Sequence, residues 1–414
     1  MSALLITHIG TLVGLHPQDT LVLRGEEMQA LPILENAWIL CEDGKIADFG
    51  NMSQLPDPLP TRLTTHDAKG GFVFPSWCDS HTHIVFAASR EEEFVMKIEG
   101  KSYEDIAAAG GGILNSARKL QLESEDSLYE SAAIRLNDMI RQGTGAVEIK
   151  SGYGLSSDSE LKMLRVIRRL KENFSIPVKA SFLAAHAYPP EYRNDHEGYI
   201  RLIIEEMLPK VAGEGLADYM DAFCEQGFFS VADTDRLLAA GAKYGLKPKI
   251  HANQLSVSGG VQVGVKHGAI SVDHLEATDE AVIESLKTGQ TIATLLPSCS
   301  FYINIPFANA RGLIKANIPV AIATDYNPGS TPSGNMNLVV SLACIKLRMR
   351  PEEAINAATL NGAAAIELSN ETGSIAKGKL ANLFITRPMP SLAFLPYSFG
   401  QSQIETIVLN GKIS

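Results

Sequence analysis

Positive charge is scarce in this 414-residue chain: 36 lysines and arginines face 47 acids, a net charge of −11. A nucleic-acid partner or an anionic membrane surface calls for a basic face, so neither is expected as a partner. Long apolar runs are missing as well, and none reaches the ~18 residues needed to span a bilayer. Cysteine is sparse and odd in number: Cys41, Cys78, Cys224, Cys299 and Cys344, with no C-x-x-C pair. That argues against a disulfide framework and points to reduced thiols in a cytoplasmic enzyme. Met1 to Leu5 carry no basic start and lead into no long apolar stretch, so no secretion signal is expected. Internal repeats and low-complexity tracts are absent too. What is present is 45% hydrophobic residues, enough to bury a sizeable core.

Apolar runs recur along the middle of the chain at Phe72–Phe74, Ala146–Ile149, Val178–Leu183, Tyr219–Phe223, Pro248–Ile250, Ile270–Val272, Thr291–Leu296 and Pro319–Ala323. Between most of them lie amphipathic segments, such as Ser159–Asn173 and Asp233–Tyr244. Eight such units predict an α/β fold, a (β/α)8 TIM barrel, placed at residues 69 to 376. The first spacing is the longest, so a large loop should follow strand one, on the catalytic face. Residues 1–68 and 377–414 are rich in short strands and turns, among them Glu42-Asp43-Gly44-Lys45 and Asn410-Gly411. The two ends are predicted to combine into one small, discontinuous, β-sandwich-like domain.

His81-Thr82-His83 follows the first apolar run. On an extended backbone residues i and i+2 face the same side, so two imidazoles can reach one metal ion. Alone, the pair is equally well read as two polar residues at a strand end. His186, His251 and His274 fall at the ends of predicted strands three, five and six, and Asp325 at the end of strand eight. Barrel enzymes place their catalysts at those ends.

His-x-His at strand one, His at strands five and six, and Asp at strand eight resemble the amidohydrolase superfamily. So does the return Gly373-Ser374-Ile375-Ala376-Lys377-Gly378-Lys379-Leu380-Ala381-Asn382-Leu383. Several blocks are similar to the imidazolonepropionase family within it. They are Asp79 to Phe86 with Ser89-Arg90-Glu91, Gly110-Gly111-Gly112-Ile113, Glu148 to Leu155, Ala185-His186-Ala187, Pro189 to Tyr192, and Ala323 to Ser330. The resemblance implies a hydrolase of cyclic amide C–N bonds. It would open the ring of 4-imidazolone-5-propanoate to N-formimidoyl-L-glutamate in histidine degradation. It implies His81, His83, His251 and Asp325 as ligands of one divalent metal, and Arg90, Tyr153, His186, Gln254, Asn327, Gly329 and Ser330 as substrate contacts. A homodimer is also implied.

Three imidazoles and a carboxylate suit Zn²⁺ or Fe²⁺ rather than Mg²⁺ or Ca²⁺. Asp325 is expected to move the proton to the leaving nitrogen. His274 is expected to stabilise the oxyanion or orient Asp325. Arg90 offers a fork for the propanoate of this small anionic substrate, though from the residues alone it reads as a solvated arginine beside Glu91, Glu92 and Glu93. Tyr153 reads equally as an aromatic packed on the barrel rim. Lys150 ends strand two rather than strand four, so it is expected to be structural or paired with Glu148 or another acid, not a bridge between two metals. The family pattern has an acid two or three residues after the strand-five histidine, where this chain has Asn253 and Gln254. That shifts the expected proton transfer onto Asp325 and His274. The alternatives are another cyclic amidohydrolase, a deaminase of similar build, or a binding protein on a retired scaffold.

Overall fold

A computed structural model describes residues 3–59, 62–101, 105, 111–399 and 401–414. Gly110 of the glycine block lies outside them. The N-terminal region runs through β1 (Ala3–Val13), β2 (Ile33–Glu42), β3 (Lys45–Asn51), β4 (Leu63–Asp67) and β5 (Phe72–Pro75). The middle carries β6 (Trp77–Thr82), β7 (Thr144–Lys150), β8 (Val178–Ala185), β9 (Tyr219–Cys224), β10 (Lys247–Pro248), β11 (Ile250–Ala252), β12 (Ser271–His274), β13 (Ile292–Leu295) and β14 (Val320–Ile322). The chain ends on β15 (Leu383–Thr386), β16 (Ile404–Leu409) and β17 (Lys412–Ile413).

Both ends share one eight-stranded sheet in the order β17-β16-β15-β5-β1-β2-β3, with β4 added parallel to β1. Period-two alternation gives it two apolar faces. Leu4, Ile6, Ile39 and Cys41 belong to one cluster, and Ala3, Leu5, Trp38 and Leu40 to another. The hairpin after β2 turns on Asp43 and Gly44, both at positive φ, as its residue types predict.

The parallel strands β6, β7, β8, β9, β11, β12, β13 and β14 pair in that order, with β10 off the path on β9. The ring is drawn together between its two ends by hydrogen bonds from the Asp325 amide to the His81 carbonyl at 3.0 Å and from the His83 amide to the Tyr326 carbonyl at 2.9 Å. The chain is therefore an α/β barrel with a separate sheet built from its ends. One assignment needs correction. Phe72–Pro75 is not the first barrel strand: it pairs with β1 and β15 in the other sheet, and barrel strand one is Trp77–Thr82. Only Ser76 separates the two strands, so the aromatic run belongs to the inter-sheet seam. There Phe74 stacks on Phe384 at 5.0 Å, and Trp77 packs on Phe384 at 4.8 Å.

The long segment after β6 contains the helices Glu91–Ile98, Ile113–Leu122 and Glu125–Arg141. From this segment Arg90, Glu93, Lys97 and Ile113 line the cavity that also receives His251 and His274 from β11 and β12. Among the described residues no helix is long and apolar enough to cross a membrane.

Candidate active site

His81 and His83 come off the end of β6, His251 sits on β11, and Asp325 follows β14 at φ 56°. Their donor atoms converge. His81 Nε2 lies 3.3 Å from His83 Nε2, and His251 Nε2 lies 3.4 Å from His83 Nε2. Asp325 Oδ1 is 3.5 Å from both His81 Nε2 and His83 Nε2. A tetrahedral ion with bonds of about 2.0–2.1 Å sets its ligands about 3.3–3.4 Å apart. The spacings among His81, His83 and Asp325 come close to such edges and His251 adjoins His83, so the group suits a divalent metal. Burial pushes the imidazoles of His81, His83 and His251 well below their usual range, with nearby cationic groups adding to it. They are therefore neutral donors.

Two carboxylates missed in the sequence orient these rings. Asp273 Oδ2 accepts the His81 Nδ1 proton at 2.6 Å, and Asp221 Oδ1 accepts from His251 Nδ1 at 3.1 Å. A carboxylate only accepts, so each holds the proton on Nδ1 and frees Nε2 for a metal. Both acids belong to a fully buried charge network. Lys150 Nζ donates to Glu148 at 2.6 Å and to Asp221 at 2.8 Å, and lies 3.5 Å from Asp273. Lys249 Nζ lies 2.5 Å from Glu148 Oε2. Burial pulls the Lys150 ammonium down, but Asp221, Glu148 and Asp273 outweigh it and the net shift is upward. Lys150 is thus paired with acids beneath the histidines.

Above the four donors opens a cavity of about 550 Å³. His83, His251, His274, Asp325, Arg90, Tyr153, His186, Gln254, Asn327, Gly329 and Ser330 all line it, while His81 lies beneath its floor. Of the candidate ligands, catalytic residues and substrate contacts, all but His81 therefore line one cavity. Burial raises the Asp325 carboxyl to about 6, the His274 ring pulling the other way. Its Oδ2 accepts from Ser330 Oγ at 3.1 Å. Asn327 folds the following loop: its Oδ1 accepts from the amides of Gly329 and Ser330 at 2.8 Å each. His186 stacks on His83 at 5.3 Å, and its Nδ1 engages the Gly152 carbonyl at 3.1 Å. Burial holds this ring neutral, down to about 4. For His274 burial acts downward, but Glu276, Asp325 and Asp273 outweigh it and the net direction is up.

Arg90 is not a solvated arginine. Its Nε donates to Ser116 Oγ at 2.8 Å, its guanidinium lies 6.0 Å from the Tyr153 ring centroid, and its side chain is 14% exposed. A Cβ on Gly329 would meet Arg90 Nη1, so any larger residue there would displace the guanidinium. Lys97, a second cation not anticipated, lines the same mouth and donates to the Gly329 carbonyl at 3.3 Å. Asn253 turns away from the cavity and donates to the Ala277 carbonyl at 2.9 Å. The nearby acid Glu225 is spent on the strand-five loop, accepting from the Leu255 amide at 3.0 Å and from Ser256. Gln254 remains as the cavity's amide, its Nε2 3.5 Å from Cys299 Sγ.

A barrel with this constellation at its C-terminal mouth is an amidohydrolase, and the chain belongs to the amidohydrolase family, whose pattern matches residues 72–414. Solved structures agree on the fold: guanine deaminase from E. coli aligns over 100% of this chain and 99% of its own, at TM-score 0.77 and 15% identity. An adenosine deaminase from Xanthomonas campestris covers 100% and 92%, at TM-score 0.71 and 16% identity. Within the family the chain falls among the imidazolonepropionases. It is 57% identical over 410 residues to the imidazolonepropionase of Christiangramia forsetii, covering 99% of each chain. It is 54% identical to that of Flavobacterium johnsoniae, again over 99% of each, and 44% to that of Clostridium tetani, over 94% and 93%.

Proposed function

We propose that this chain hydrolyses the ring C–N amide bond of 4-imidazolone-5-propanoate, giving N-formimidoyl-L-glutamate in histidine degradation. One observation carries the reading beyond the family. The cavity is lined both by the metal-ligating residues His83, His251 and Asp325 and by two cations, Arg90 and Lys97, with Glu93 beside Arg90. A substrate with a hydrolysable ring at one end and a carboxylate at the other fits that pairing.

His81, His83, His251 and Asp325 would hold the divalent metal, Zn²⁺ or Fe²⁺. Such a metal would supply Lewis acidity, lowering the pKa of a water and polarising a carbonyl held beside it. Arg90 grips the propanoate by a bidentate fork, the Tyr153 face lying beside it. His186, with Nδ1 committed to Gly152, presents Nε2 as a neutral acceptor for a ring N–H. Gln254 donates and accepts along the ring edge, in place of a carboxylate. Asp325 Oδ2 takes the proton released by the attacking water and delivers it to the leaving ring nitrogen, with Ser330 fixing its angle. His274, with Glu276 beside it, would face the oxygen on which charge develops. Asn327, Gly329 and Ser330 shape the loop against which the substrate and Arg90 lie.

The test is an ultraviolet assay of imidazolone ring opening, run beside guanine, cytosine and hydantoin. Loss of the imidazolone chromophore with the other three untouched is expected. Turnover of one of them with imidazolonepropionate intact would replace this reading by that of a deaminase or another cyclic amidohydrolase.

A further inference from the structure

Glu160 is a buried acid that the chemistry above leaves unused. It stands in the first turn of the helix Ser157–Asn173, where acids ordinarily face solvent, yet it is 0% exposed. Both of its oxygens are taken by the loop that follows β7. Oε1 accepts from the amides of Gly154 at 2.7 Å and Leu155 at 2.9 Å, and Oε2 accepts from the amide of Gly152 at 3.1 Å. Burial pushes this carboxyl up, and its hydrogen bonds to Ser151, Leu155, Gly154 and Gly152 pull it back. A buried polar group is tolerated when it is hydrogen-bonded, and this one is committed to loop amides alone.

The clamped residues flank Tyr153 on both sides, and the clamp reaches His186 through Gly152. The Gly152 carbonyl receives His186 Nδ1 at 3.1 Å. The Tyr153 ring lies 5.5 Å from the His186 ring, centroid to centroid. Gly152 has φ of 109°, and a Cβ there would come within 2.8 Å of His186 Nδ1, so glycine lets the loop lie this close to the ring. Gln121 Nε2 holds the loop from another side, donating to the Gly154 carbonyl at 3.0 Å. Tyr153 and His186 both line the cavity, while Glu160 stands behind them.

We infer that Glu160 is a positioning residue: through the backbone of Gly152 to Leu155 it sets Tyr153 and His186 where they meet the substrate, and so governs substrate affinity. This rests on the contacts given to Tyr153 and His186 above. A carboxylate serves because it presents acceptors only. Glutamine keeps the shape but has one acceptor oxygen and an NH2 group. With that oxygen kept on Gly154 and Leu155, the NH2 group faces the Gly152 N–H, donor against donor. The Gly152 carbonyl then loses its fixed place at His186.

The experiment measures steady-state ring opening and zinc content for zinc-loaded wild type, Glu160→Gln and Glu160→Asp. Glu160→Gln should raise KM for imidazolonepropionate about tenfold, with kcat within about twofold, the pattern of lost uniform binding. Its zinc content should match wild type. Glu160→Asp keeps the charge but withdraws the carboxylate by one methylene, so it should raise KM in the same direction, and it carries the test should the glutamine variant not fold. In the His186→Ala background the Glu160→Gln effect should shrink to about threefold or less, because the ring it places is gone. Ring opening by both variants at the wild-type KM would overturn the inference. So would a fall in kcat alone, which marks a merely structural role, or an undiminished effect without His186. Absence of ring opening by wild type itself would overturn the proposed function and this inference with it.

Discussion

Replacing Asp273 with asparagine tests how the buried carboxylates serve the metal centre. Asp273 Oδ2 holds the His81 Nδ1 proton at 2.6 Å, Oδ1 accepts from Ser271 Oγ at 2.5 Å, and Lys150 Nζ lies 3.5 Å away. Asparagine fills the same volume but offers an NH2 group where only an acceptor serves. Facing His81, it drives the ring to the tautomer with its proton on Nε2, the nitrogen that meets the other three donors. The same exchange in a serine-protease triad leaves the geometry intact and spoils the tautomer. The charge balance protects the fold: three carboxylates and two ammoniums become two of each, and no lone buried charge is created. Loss of such an orienting partner lowers metal affinity about 10–100-fold, about 1.4–2.8 kcal/mol. Competition against a chromophoric zinc chelator measures the affinity, and thermal unfolding of the metal-free protein measures the fold. Weaker zinc binding with a nearly unchanged melting temperature is expected. Unchanged zinc affinity would refute the orienting role.

Other substitutions probe other parts. Arg90→Ala should raise KM for imidazolonepropionate, by about 2–5 kcal/mol for a buried charge-assisted pair; steady-state kinetics with an unchanged KM would remove it from the propanoate end. Gly329→Ala should push Arg90 from its seat and raise KM in the same direction while leaving the zinc content alone, as metal analysis would show. Lys150→Met leaves three buried carboxylates facing one ammonium, so its denaturant midpoint should fall by the equivalent of about 3–5 kcal/mol.

His186, His251, His274 and Asp325 were legible because each falls at or just past the end of a largely apolar run, and His81 and His83 because they form a His-x-His pair. Barrel strand one was not legible. All six residues of Trp77–Thr82 are buried, and several are polar because they serve the site or the seam, so the strand lacks the apolar run that marks its neighbours. Phe72–Pro75, one residue upstream, carries that run for the other sheet. Asp221 and Asp273 were missed for a related reason. Each is one acid in a short strand, and its meaning lies in a partner 30 or 192 residues away. A charged residue inside a fully buried strand was the available signal. Arg90 stood among three glutamates and read as solvent-facing, because only the fold brings Ser116, Tyr153 and Gly329 around it.

His81, His83, His251 and Asp325 are proposed to hold one divalent metal on which ring opening depends. The most direct measurement is metal content and imidazolone ring opening, taken together on wild type and His251→Ala. About one equivalent of zinc or iron per wild-type chain is expected, with metal and activity lost together in the variant. Metal-free protein that opens the ring at the wild-type rate would contradict it.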